Sequence, residues 1–296
     1  MKYLKYRINR LTRSYNRYIT TYKKHGIYGV GYKFLKKIGF KIKYNNFIEK
    51  KKYFLGQKIV HLSKNTILNG PYKGTKFLNK FDATQTATAS LFLGFYEQEV
   101  QKKIIELKER YKLKYFVNFG AGEGFHCISL LNKFFFDEAY AFEIDNKMRE
   151  IIEKNSVLNS VNDKIKIFGK ADFIAFKENF DKDKIPQTLF LVDIEGAEFK
   201  LFDEKFLEFV SSSCLIIENH DFAIRDKESI EIFLKLINKK FIIENVKPSS
   251  RNPYEFEQLD YFDDDARWLM ISEGRPCPMN WYVLLPKITK KVTFKQ

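Results

Sequence analysis

Two short stretches constrain this chain more than any other feature: Phe116-Val117-Asn118-Phe119-Gly120-Ala121-Gly122-Glu123-Gly124 and Leu191-Val192-Asp193-Ile194-Glu195-Gly196-Ala197-Glu198. Each is a run of apolar strand formers that stops abruptly at small and acidic residues. Fully apolar strands belong to parallel sheets covered on both faces, and in such sheets ligands bind outside the carboxyl ends of the strands. The pair therefore predicts an α/β fold with a ligand crevice where neighbouring strands end.

The first loop narrows the ligand. A chain leaving a strand at Phe119 and entering a helix near Phe125 must turn sharply, which glycine permits. The spacing is G-x-G-x-G, with Phe125 where a dinucleotide fingerprint has its third glycine, so a smaller anion such as an amino-acid carboxylate fits better than a pyrophosphate. No G-K-[ST] follows, which excludes a P-loop. Ala139-Tyr140-Ala141-Phe142-Glu143 reads as the next strand, and Glu143 stands 23 residues after Gly120, where a doubly wound fold places the acid that holds ribose hydroxyls. Asp172, in Gly169-Lys170-Ala171-Asp172, is placed either to accept from a purine amino group or to cap the next helix.

These residues carry a resemblance. The order of glycine loop, Phe142-Glu143-Ile144-Asp145 and Val192-Asp193-Ile194-Glu195-Gly196-Ala197-Glu198 resembles the S-adenosylmethionine-dependent class I methyltransferases, specifically the FkbM-like family, over about residues 114 to 245. Ile144 stands where many relatives have proline. Gly94-Phe95-Tyr96-Glu97-Gln98-Glu99-Val100, Arg267-Trp268-Leu269-Met270 and Ser272-Glu273-Gly274-Arg275-Pro276 look similar to methyltransferases of bacterial surface-polysaccharide clusters. The resemblance implies a Rossmann-like, mostly parallel seven-stranded sheet. It also implies S-adenosylmethionine as cofactor, held by Phe119, Gly120, Ala121, Gly122, Gly124, Glu143, Ile144, Asp172 and Asp193. The implied reaction is O-methylation of a glycan or glycolipid intermediate.

Methyl transfer to an alcohol needs a collinear approach and profits from a base. His220, in Ile217-Glu218-Asn219-His220-Asp221, has the ordinary pKa nearest neutrality and is the first candidate, with Asp193 and Glu195 as competitors. Asp193, Glu195, Glu218, His220 and Asp221 also offer hard ligands for a divalent metal, which a carboxylate set around a cationic cofactor does not require. Glu99, Arg267 and Arg275 are candidate substrate contacts, the arginines as clamps for phosphate or carboxylate or as partners of Asp263-Asp264-Asp265.

Charge divides the chain unevenly. Residues 1–52 hold 16 Lys and Arg against the single acid Glu49, and the rest balances at 36 and 36, so the net +15 belongs to the N-terminal arm. Within it Leu4, Ile8, Leu11, Tyr15, Tyr18, Ile19 and Tyr22 recur at helical spacing beside Lys5, Arg7, Arg10, Arg13 and Arg17. Such a face suits docking on the catalytic domain, an anionic membrane surface through residues 1–24, or, less well, nucleic-acid phosphates. Cys127, Cys214 and Cys277 show no disulfide or zinc spacing, and there is no spanning apolar run and no secretory signal. A cytoplasmic protein, peripheral at the inner face of the membrane, is the expectation. The oligomeric state is left open.

The expected organisation is a basic helical arm over 1–52, a cap or linker over 53–113 with short strands near 58–61 and 76–78 and a helix over 96–111, and a catalytic domain over 114–296. Strands are predicted at 115–119, 138–143, 164–168, 188–193, 213–218, 240–246 and 281–285, and helices at 124–134, 147–158, 199–209 and 227–238. A cover insert spans 247–279. Two other functions compete with the glycan reading: an RNA ribose methyltransferase whose arm binds phosphates, and a non-catalytic membrane-associated cofactor-binding protein. A base N-methyltransferase is disfavoured because Asp193-Ile194-Glu195-Gly196 stands where an Asp/Asn-Pro-Pro-aromatic loop belongs.

Overall fold

Alternation along five central segments builds a sheet with two unlike faces. In β1 (Tyr115–Phe119) Phe116 joins one buried cluster while Val117 and Phe119 join another, and β4 (Thr188–Val192) and β5 (Cys214–Glu218) divide in the same way. The computed structural model describes residues 47–78, 87–222, 224, 226–275 and 277–287. With β2 (Glu138–Phe142), β3 (Ile165–Phe168), β6 (Phe241–Val246) and β7 (Trp281–Pro286) the strands form one sheet in the order β3-β2-β1-β4-β5-β7-β6. All neighbours are parallel except β7, which runs antiparallel to both β5 and β6. This is the mostly parallel, seven-stranded α/β sheet expected, with each of the seven strands predicted between 115 and 285 within one or two residues of its place.

Helices cover both faces. On the Phe116 side lie α1 (Phe47–Ser63), α2 (Thr88–Leu93), α3 (Gln98–Tyr111) and α4 (Phe125–Asn132), which supply Ile59, Phe92, Ile104 and Ile128 to the cluster. α5 (Asn146–Leu158) adds Ile152 to it. The opposite face is dense in aromatics: Phe119 meets Phe142, Phe176, Phe190, Phe202 and Phe206 at centroid separations of 5.0 to 6.3 Å. Phe142 and Phe190 belong to β2 and β4, and the other rings come from α6 (Phe173–Asn179), the residue after α7 (Glu198–Leu201), and α8 (Glu204–Phe209), with α9 (Lys227–Lys240) completing the layer.

Two expectations are corrected. The helix predicted over 199–209 is two, because Asp203 takes an extended backbone (ψ 177°) and its carboxylate accepts from Phe206 N at 2.8 Å, starting α8 anew. The predicted strand at 58–61 lies inside α1, and all that remains of the pair is an isolated bridge between Thr66 and Lys76. The chain divides into units at 1–50 and 51–296. The amphipathic arm of residues 1–24 lies outside the described residues. Within the insert at 247–279, Asp263 caps α10 (Asp264–Ile271) by accepting from Ala266 N at 2.8 Å, and Asp264 and Asp265 occupy its first turn. The acidic run is thus a helix start.

Candidate active site

The two signature stretches meet. A Cβ on Gly120, whose φ is +82°, would fall 1.7 Å from the carbonyl oxygen of Asp193, so only glycine lets the loop after β1 pass the end of β4 this closely. Asp193 N in turn donates to Phe119 O at 2.9 Å, while Gly120 N and Ala121 N both donate to Phe142 O, drawing the loop across the end of β2. Gly122, at φ +52°, faces open space on the Cβ side.

Glu143 ties the loop to the next strand end. One carboxylate oxygen accepts from Gly122 N and the other from Asp145 N, both at 2.9 Å, fixing the acid at the rim of a cavity of about 450 Å³ with lone pairs to spare for hydroxyl donors. Gly120, Ala121, Gly122, Asp193, Glu195, Glu218, His220 and Arg275 line the same cavity, whose walls include Tyr96, Phe125, Phe222 and Trp281. Its volume lies in the range of pockets that hold small organic ligands.

At the end of β4 the backbone is bent to purpose. Glu195 is left-handed at φ 54° with its side chain 88% exposed, and Glu198, 1% exposed, accepts from Gly196 N at 2.8 Å. The other oxygen of Glu198 meets Nδ1 of His220 at 3.1 Å. That bond turns Nε2 toward Asp193 and Glu195, at 3.6 and 3.7 Å. Burial works against a charged imidazole here, but the bond to Glu198 and the charges of Glu218, Glu198 and Glu195 outweigh it and hold its proton more firmly than in water. Asp193 is shifted the other way. Burial foremost, then the charges of Glu97 and Glu195, raise it to about 7, while Glu218 and Arg275 oppose the rise. Its Oδ1 is enclosed and has no hydrogen-bond partner, although the side chain as a whole is 37% accessible.

Behind Asp193 runs a buried ionic chain that the sequence does not advertise. Arg275 reaches Glu97 and Glu218, each at 2.5 Å, and Glu273 at 2.7 Å. Glu97 continues to His126 at 3.0 Å, and His126 to the Tyr72 hydroxyl at 2.9 Å. Burial alone would raise Glu97, but His126 and Arg275 bring it down to about 2. Arg275 is therefore in the pocket, as expected, but its guanidinium is committed to three glutamates and none of the aspartates at 263–265. Glu97, Glu198 and His126 were missed because their partners stand on other elements, 178, 22 and 29 positions away, and no motif pairs those residue types at those separations.

Other sequence candidates fall outside the cavity lining. Phe119 is wholly buried in the aromatic core, so only its backbone reaches the loop. Gly124, at φ +84°, is the N-cap of α4. Ile144 is 71% exposed beyond the end of β2. Glu99 is held by Ser249 and Arg251, which tethers the insert, and those bonds together with Arg251 keep its carboxylate below the usual range although burial works the other way. Arg267 donates to the carbonyls of Phe262 and Asp260 and stacks over Tyr254. Asp172 takes the capping alternative, accepting from Ala175 N at 2.8 Å. Asp172→Ala is expected to cost about 1 kcal/mol, read as a lower Tm, with cofactor affinity unchanged; a loss of affinity would restore the purine role.

Among the described residues two groups have the spacing for a divalent ion, Asp193 with Glu195 and His220, and Glu97 with Asp193 and Glu218, their donor atoms within 4.8 Å. Each already contains or adjoins a protein cation, His220 or Arg275, so the spacing has an account without an ion.

No family model matches the chain, and no curated protein matches it. Similar solved structures include an O-methyltransferase of tomaymycin synthesis from Streptomyces achromogenes in complex with S-adenosylmethionine (9% identity, 78% of this chain and 96% of that one, TM-score 0.45). Another is precorrin-6y C5,15-methyltransferase from Geobacter metallireducens (10%, 72% and 94%, 0.41). A third is a putative tRNA (m1A22) methyltransferase from Streptococcus pneumoniae with S-adenosylmethionine (13%, 64% and 75%, 0.40). Identities this low carry no residue roles across.

Proposed function

We propose that this chain is an S-adenosylmethionine-dependent O-methyltransferase of the FkbM-like type, acting on a hydroxyl of a glycan or glycolipid. The observation that carries the cofactor is Glu143, pinned by two backbone amides at the rim of the cavity beside a loop that only glycine can form. Bound there, S-adenosylmethionine supplies an electrophilic methyl on a sulfonium. Glu143 holds the ribose hydroxyls and Gly120, Ala121 and Gly122 give the ligand close access to backbone. Asp193, tuned to about 7 and with its side chain 37% accessible from the cavity, takes the proton of the acceptor, a task for which a pKa near working pH is best suited. His220, which holds its proton more firmly than in water, positions the Asp193 and Glu195 carboxylates, replacing the role of base first expected of it.

The glycan acceptor and the FkbM placement rest on the resemblance of Asp193-Ile194-Glu195-Gly196-Ala197-Glu198, and the aromatic walls with carboxylates between them suit a polyhydroxylated ring. The basic arm holds the enzyme near anionic lipid or a phosphate-bearing acceptor. No helix among the described residues is long and apolar enough to cross a membrane. Calorimetry tests the core of this reading. Glu143→Ala should weaken S-adenosylmethionine binding at least about tenfold, as expected for losing a charge-assisted hydrogen bond; no binding by the wild type, or equal binding by the variant, would sink it. Mass spectrometry of surface glycans with and without the protein would then identify the acceptor.

A further inference from the structure

Glu97, Asp193 and Glu218 come from three separate parts of the chain, yet their carboxylate oxygens lie within 4.8 Å of one another at the cavity wall. Glu97 and Glu218 are 5% and 2% exposed. A single guanidinium faces them: Arg275 gives Nη2 to Glu97 and Nη1 to Glu218 and spends Nε on Glu273. His126 takes the second oxygen of Glu97. From the loop after β5, His220 Nε2 stands 3.6 Å from Asp193 and 3.9 Å from Glu218, with Glu195 on its other side and Glu198 on Nδ1. The Tyr96 ring lies against Arg275. Arg275 is thus divided among three glutamates and His126 is taken by Glu97, so Asp193 and Glu218 lie close together with one arm of that guanidinium, on Glu218, and one shared imidazole, itself contested by Glu195 and Glu198. Two carboxylates so placed, Glu218 buried and Asp193 partly so, cannot both ionise freely.

We infer that Asp193 and Glu218 hold a shared proton in the ligand-free protein and release it when a cationic ligand enters the cavity, so that the pair is empty, and ready to receive a proton, only while the sulfonium donor is bound. The inference rests on the proposed cofactor. The electrostatics agree with the geometry: burial first, then the charges of Asp193 and Glu97, raise Glu218 to about 9 against the opposing charge of Arg275. The coupling has a chemical use. In methyl transfer to a hydroxyl the C–S bond breaks with its electron pair left on sulfur, a C–O bond forms, and the hydroxyl proton leaves. Asp193 accepts that proton as the positive charge disappears from sulfur, so the cavity's net charge is the same before and after.

The test compares S-adenosylmethionine with S-adenosylhomocysteine, which share every group except the methyl and its charge. Titration calorimetry of the full chain at pH 7.5, in phosphate and in Tris, reads the protons released on binding. The methylated ligand should release about half to one proton more than the demethylated one, and its relative affinity should rise by up to about tenfold per pH unit between pH 6.5 and 8. Glu218→Gln should abolish that difference while still binding S-adenosylhomocysteine. Equal proton release by both ligands, or a wild-type difference persisting in Glu218→Gln, overturns the inference alone. Binding of neither ligand overturns the proposed function and the inference together. Should Glu218→Gln fail to fold, the wild-type pH series decides by itself.

Discussion

Arg275→Met should destabilise the protein by about 3 to 5 kcal/mol near neutral pH, the cost of leaving buried carboxylates without their partner. The guanidinium side chain is 20% exposed and bonds Glu97, Glu218 and Glu273, none of them more than 7% exposed at the side chain. The pH dependence has a definite sign. Glu97 is held at about 2 in the folded protein, with burial opposing and His126 and Arg275 together prevailing, so its stabilising contribution is present above its ordinary value of 4.5 and lost as the pH falls through 2. Without Arg275 its folded value rises, and the variant should lose more at pH 8 than at pH 5. Urea denaturation of both proteins at the two pH values checks this; a deficit below about 1 kcal/mol, or one that narrows toward pH 8, would show that the chain of ion pairs is solvated and weak.

Asp193→Asn should lower kcat by about 10² to 10⁴, the usual worth of a positioned general base, while S-adenosylhomocysteine affinity stays within a few-fold of wild type. Asparagine keeps the shape and the backbone contact of Asp193 N with Phe119 O, so the loop after β1 is undisturbed. His220→Gln should fall less and should retain a pH–rate profile of the wild-type form, because the imidazole acts by holding the carboxylates. If instead His220→Gln erases the profile and Asp193→Asn leaves it, the roles assigned here are reversed.

Cofactor fold and proton chemistry are joined by one backbone event. The apolar cores of β1 and β4 bring their ends side by side, and the absence of a side chain at Gly120 lets Asp193 close against the loop. The same closeness that forms the ligand rim encloses Asp193 Oδ1 and perturbs it. Fold stability and site reactivity are therefore not separable at this point, and substitutions at Gly120 would disturb both.

The sheet was legible because its signals are local. Unbroken runs such as Thr188–Val192 must be buried on both faces, and alternation with helical segments makes the sheet mostly parallel. Glycine spacing and the distance to Glu143 are likewise properties of one βαβ unit. Helix ends were less so: the break at Asp203 depends on a single capping bond, and α1 outweighed a strand-like pattern at 58–61 only through packing of Leu55, Ile59 and Val60 into the core.

By itself the sequence determined where the strands end and hence that Gly120, Glu143, Asp193 and His220 converge, since those facts follow from hydrophobic pattern and backbone sterics over short spans. Which acid is enclosed, which arginine is neutralised and which histidine binds its proton more firmly than in water were decided by tertiary structure alone. Protonation depends on burial and on charges a few ångströms away, and Glu97, His126, Glu218 and Arg275 become neighbours only when distant segments fold onto one cavity wall.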